Sequence, residues 1–80
     1  MSDAGADMTR FEALAEAAYA AMYDARPRAV KALYEDTCSH FAAAIDMAKR
    51  AGRDDDAARL TARRAHVMTV YDRQFRGVGF

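Results

Sequence analysis

Cys38, Ser39 and His40 stand side by side in this 80-residue chain, and together they carry the thiol, hydroxyl and imidazole from which nucleophilic catalysis is built. Their spacing defeats them. Successive helical positions diverge by about 100°, so Cys38 and His40 cannot meet through their own helix. Cys38 falls at the edge of an apolar face and reads as a small core residue, with an intermolecular disulfide as the sharper alternative. The second constellation is His40, His66 and Asp36, with Asp36 one turn before His40. A stable metal site needs three or four converging ligands, and the sequence has no Glu-x-x-His or His-x-x-x-His pair, so no metal and no cofactor is expected.

The most anomalous residue is Arg64. Helical geometry places it between Tyr71 and Phe75, inside the apolar sector of its helix. A guanidinium buried without a partner costs several kcal/mol, so Arg64 must snorkel outward or pair with a carboxylate. Glu12 and Glu16, at the border of the first helix's apolar stripe, are the candidates. An anion site built around Arg64 and a tyrosine is the functional version of the same observation.

Charge is uneven although its sum is zero. Residues 1–24 carry Asp3, Asp7, Glu12, Glu16 and Asp24 against Arg10; residues 57–80 carry Arg59, Arg63, Arg64, Arg73 and Arg76 against Asp72. The first and last helices should therefore attract one another. Pairs at i,i+4 (Asp24 with Arg28, Lys31 with Glu35, Asp46 with Arg50, Asp55 with Arg59, Asp72 with Arg76) add a few tenths of a kcal/mol each. A sharper reading takes Arg59, Arg63 and Arg73, with His66, as a basic stripe down one outer side of the last helix. No aromatic residue interleaves that stripe and the chain is not basic overall, which argues against nucleic acid.

These residues need helices to position them. Alanine fills 20 of the 80 positions, glycine only 4 and proline 1, a composition that favours helix over strand. Only 22 residues are apolar and larger than alanine, so the core is thin. The length allows one domain. A single cysteine excludes an internal disulfide framework, and no apolar run approaches the roughly 20 residues that span a bilayer. A soluble cytoplasmic helical domain is the expectation.

Met1 to Met8 reads as a disordered lead-in. Thr9 and Glu12 form a capping-box pattern that starts a first helix over 10–24, with Phe11, Leu14, Ala15, Ala18, Tyr19 and Met22 on one stripe. Pro27 interrupts the pattern, either in a turn or at a kink, and Asp24 offers a cap to the next helix. A second helix over 26–51 has the clearest period: Val30, Leu33, Tyr34, Thr37, Cys38, Phe41, Ala44, Ile45 and Ala48. It should be central, and Ala51-Gly52 should close it with a left-handed cap. The third helix, over 55–76, begins in three aspartates that supply a capping oxygen and favourable charge, and it ends at Gly77. Val78 closes a contact around that glycine, and 78–80 is a tail. The fold expected is all-α: an antiparallel helical hairpin plus a shorter N-terminal helix, forming a three-helix bundle over 9–77.

Met47, His40 and Val70, with His66, extend apolar or amphipathic surface beyond a single stripe and are the candidate interface. The function expected is a small non-enzymatic protein-interaction module, adaptor- or chaperone-like, binding a protein partner or itself as a homodimer. The alternatives are an anion- or small-ligand-binding accessory domain using Arg64, and a nucleic-acid-binding protein using the basic stripe.

Overall fold

The computed structural model describes residues 3–76, which form three α-helices and a π-helical turn, without strands among those residues. Helix α1 runs Ala4–Met22, six residues ahead of the start expected from the sequence. Its cap is Asp3, whose carboxylate accepts a hydrogen bond from the Ala6 N–H at 3.1 Å, with Asp7 adding negative charge in the first turn. Thr9 is therefore inside the helix rather than at its start, and its hydroxyl donates to the Gly5 carbonyl at 3.2 Å. Residues 3–8 belong to the fold because Met8 is buried in the core at 3 % exposure, which anchors the first turns. The start of the expected lead-in, residues 1 and 2, lies outside the described residues. So do Gly77, the Val78 contact and the tail.

The last turn of α1 tightens: the amides of Tyr23, Asp24 and Ala25 reach back three residues, to the carbonyls of Ala20, Ala21 and Met22. Pro27 then opens α2 (Pro27–Arg50) at its first helical position, so it sits at the end of a turn and kinks nothing. Proline pushes its predecessor into extended backbone, and Arg26, at φ −65° and ψ 149°, becomes the residue flanking the helix. Asp24 is left in the turn and caps nothing. At the other end the expected glycine cap is present. Gly52 has φ +71°, its N–H donates to the Lys49 carbonyl at 3.1 Å, and the Arg53 N–H donates to the Ala48 carbonyl at 2.8 Å, the Schellman pairing.

Helix α3 is Asp54–Val70 and continues into a π-helical turn over Tyr71–Phe75, where the Arg76 N–H reaches the Tyr71 carbonyl at 2.9 Å. Its flanking residue is Arg53, without a side-chain cap. The three aspartates occupy the first turn itself, where they meet the positive pole of the helix, and Asp56 accepts from Arg53 Nε at 2.7 Å.

The core lies where α1 and α3 meet α2. Met8 and Ala15 from α1, Phe41, Ala44 and Ala48 from α2, and Ala57, Leu60 and Val67 from α3 form one buried cluster. Half of these eight are alanines, so the helices approach closely but enclose little volume. Cα atoms extend 44 × 21 × 13 Å, with a radius of gyration of 13.3 Å, against roughly 12 Å for a compact domain of this length. The chain is drawn out along its helices. None of the helices is long and apolar enough to cross a membrane.

Thr37 is the one buried polar residue among those described. Its hydroxyl donates to the Leu33 carbonyl at 2.7 Å, which satisfies it within its own helix. Two substitutions separate packing from polarity. Thr37→Val leaves no orphan acceptor, since the Leu33 carbonyl can still receive its helical bond, and urea titration should show stability unchanged or raised. Phe41→Ala removes the largest fully buried side chain and should cost about 3–5 kcal/mol, enough to unfold most of the chain at 25 °C.

Candidate functional site: a charged seam, an inward arginine and an outer apolar face

The attraction expected between the first and last helices takes a specific form. Arg59 holds Glu12 through two bonds, Nη1 to Oε2 at 2.7 Å and Nη2 to Oε1 at 3.1 Å. One turn along, Arg63 holds Glu16 with Nε to Oε2 at 2.8 Å and Nη2 to Oε1 at 2.9 Å. Both pairs join residues 47 apart in sequence, so α1 and α3 run parallel and in register. Asp56 also accepts from Arg59, at 3.2 Å, while the Arg63 guanidinium lies 5.2 Å from the centre of the Tyr19 ring.

The seam corrects two assignments made from the sequence. Arg59 and Arg63 are not a free basic stripe; their charges are spent on α1, and only Arg73 of the three is exposed without an ion pair among the described residues. Glu12 and Glu16 in turn are not partners of Arg64. The missed signal was spacing: Glu12 and Glu16 are four apart, and so are Arg59 and Arg63, which lets two parallel helices pair both at once. Of the expected i,i+4 pairs, Asp46–Arg50 closes at 2.9 Å and Asp72–Arg76 at 3.6 Å, while Arg59 takes Asp56 in place of Asp55. Asp24–Arg28 and Lys31–Glu35 do not form.

Arg64 is half-buried and turns toward α2. Its Nε donates to the Cys38 carbonyl at 3.2 Å and its Nη1 lies 3.5 Å from the Met68 sulfur. Among the described residues no carboxylate lies within ion-pair distance of it. Beyond it, Tyr71 stacks on Tyr34 with ring centres 3.8 Å apart and planes 5° from parallel. Burial, followed by a hydrogen bond with Cys38, pushes the Tyr34 hydroxyl up to about 12. A cleft of about 450 Å³ opens beside this stack, lined by Lys31, Tyr34, Glu35, Tyr71 and Arg76. The same π-helical turn sends Phe75 against Tyr23, 5.1 Å between ring centres, and Tyr23 meets Tyr19 edge-on and through their hydroxyls at 3.0 Å.

The candidate interface residues differ in burial. Met47 packs against the core cluster, His40 and Val70 are half-buried, and His66 is exposed. On α2, His40 and Met47 occupy the flank opposite Cys38 and Tyr34, which are the residues that meet α3. His66 and Val70 are on α3.

A different surface is uncharged. Ala13, Leu14, Ala17, Ala20 and Ala21 are all exposed on the side of α1 away from the core, and Leu14 is 44 % exposed. Glu12 and Glu16 are turned to the seam, so no charge interrupts this face between Arg10 and Asp24. The sequence reading placed Leu14 on the buried stripe. Alanine on every side of α1 blurs its period, which is why the outer face was not legible.

No known protein family, curated protein or solved structure matches the chain.

The seam makes stability depend on acid. The hydrogen bond from Arg63 holds the Glu16 carboxyl below its ordinary value of 4.5, outweighing the opposing effect of burial. A carboxyl lowered in the folded state contributes stability above the unfolded value and loses it as pH falls through the folded one. The melting temperature should therefore drop on acidification below about pH 4.5. Glu16→Gln should cost about 0.5–1 kcal/mol at pH 7, screened as partly exposed pairs are, and should flatten that acid dependence.

Proposed function

We propose that the chain is a small non-enzymatic helical module that binds protein through the outer face of α1. The observation that carries this reading is the uninterrupted apolar face Ala13, Leu14, Ala17, Ala20, Ala21. A surface helix normally keeps charged residues on the side away from its core, and α1 keeps them on the seam instead. In this reading α1 is the third member of a bundle, lying along α2 and parallel to α3, with the thin core leaving stability to be gained by association. Adaptor- or chaperone-like binding fits such a surface, since alanines let another helix come close while Leu14 supplies the apolar anchor. A cytoplasmic setting belongs to the same reading, with Cys38 as a reduced thiol.

A photoreactive amino acid at Ala17 tests this in cells that express the chain. Adducts to protein should form from position 17 and not from the exposed Ala62 of α3. Equal labelling, or none from position 17, would overturn the reading.

Arg64 supports a second reading, a site for a small anion, because its guanidinium has a carbonyl and a thioether for company and no carboxylate among the described residues. Inorganic phosphate should then raise the melting temperature, and Arg64→Ala should abolish the rise. Arg73→Ala is the proper control, since Arg59→Ala would break the seam. An undiminished shift in Arg64→Ala would exclude the site.

A further inference from the structure

The outer face of α1 is palindromic. Arg10, Ala13, Leu14, Ala17, Ala20, Ala21 and Asp24 follow one another at spacings of three, one, three, three, one and three, a seven-residue repeat of the kind that lets two helices lie along each other. Read from either end the spacing is the same, with Ala17 at its centre, Leu14 mirrored by Ala20, and Asp24 just past the helix end. The two ends differ only in sign: Arg10 is a cation, Asp24 an anion, and both are exposed.

From this self-complementarity we infer that the partner of this face is a second copy of the chain, with the two α1 helices antiparallel about a two-fold axis at Ala17. This rests on the interaction reading above. The axis sets Ala17 against Ala17, Ala13 against Ala21 and Leu14 against Ala20, so each large side chain meets a small one. It also sets each Arg10 against the other copy's Asp24, twice per dimer. Isologous contact of this kind closes on itself and stops at two copies. A parallel arrangement would set Arg10 on Arg10 and Asp24 on Asp24, which like-charge repulsion disfavours.

Arg10 is available for this role. Its own-chain partner Asp7 stands 3.6 Å away and its side chain remains 66 % exposed. The flanking Phe11 ring lies 5.1 Å from its guanidinium. Asp24 lies in the turn two residues beyond the end of α1, where its amide donates to the Ala21 carbonyl at 3.2 Å. From Arg10 to Asp24 the face is about 21 Å long at 1.5 Å per residue. One helix face of that length buries less than the roughly 800 Å² per partner of a standard interface, so the dimer is a weak, exchanging one.

Sedimentation velocity of the full chain from about 10 µM to about 1 mM, at about 50 mM salt where exposed ion pairs are still effective, provides the test. Mass should rise to that of two copies and no further. Leu14→Glu should abolish the rise while leaving the helical circular dichroism and melting temperature of dilute protein unchanged. Arg10→Asp should weaken association at least about tenfold, and Arg10→Asp combined with Asp24→Arg should restore it to within about threefold, a recovery that non-specific apolar contact would not give. Independently of Leu14→Glu, the charge pair carries the decision on its own. A chain that stays monomeric at the highest concentration, or a dimer indifferent to the charge exchange, overturns the inference. If position 17 still crosslinks to a different protein in that case, self-pairing fails and the interaction reading stands; absence of any adduct there removes both.

Discussion

Everything in this molecule depends on two helices sharing one side of a third. Among the described residues helix α2 carries the longest buried stripe, with Phe41 near its centre and Val30, Thr37, Ala44 and Ala48 above and below. The stripe serves α1 and α3 together, and each contributes few large side chains of its own. Alanines at Ala15, Ala44, Ala48 and Ala57 make such sharing feasible, because helices separated by methyl groups approach near the lower end of the usual 8–10 Å. Close approach with little enclosed volume gives many contacts and a small apolar area, and a domain so built is stable by a narrow margin.

Apolar contact of this kind is poor at fixing register, since one alanine resembles another. The polar seam supplies what the core lacks. Two guanidinium groups on α3 meet two carboxylates on α1 at the same offset, and a slip of one turn would leave one of each unmatched. At the far end, aromatic contacts take over where charges give out: Phe75 meets Tyr23 at the end of α1, and Tyr71 stacks on Tyr34 of α2. Net stabilisation by the exposed pairs is small, so their part is specification more than strength.

How much of this the sequence shows depends on how loudly each residue speaks. Pro27 and Gly52 have backbone requirements of their own, and both boundaries of α2 were legible from them. The opposite net charges of the first and last helices announced their attraction, yet which arginine meets which glutamate depends on helix direction and register, which come from packing. Charge alone leaves Glu12 and Glu16 equally open to Arg64, which in the structure turns to a carbonyl of α2. The start of α1 was hidden because Ala4, Gly5 and Ala6 have no periodicity to read, although Asp3 was a capping residue in plain view. The π-helical turn has no sequence signature, and its Tyr71 and Phe75 rings meet Tyr34 of α2 and Tyr23 at the end of α1. Alanine, able to stand inside or outside, concealed the outer face of α1.

The parallel course of α1 and α3, opposed by α2 alone, has an electrical consequence. Each helix behaves as a rod with about half a positive charge at its start and half a negative one at its finish. Two such rods pointing one way and one pointing back cannot cancel. The molecule is left with a permanent direction along its 44 Å axis, and the end that gathers Asp7 and Asp54 to Asp56 is the end where the surplus is positive.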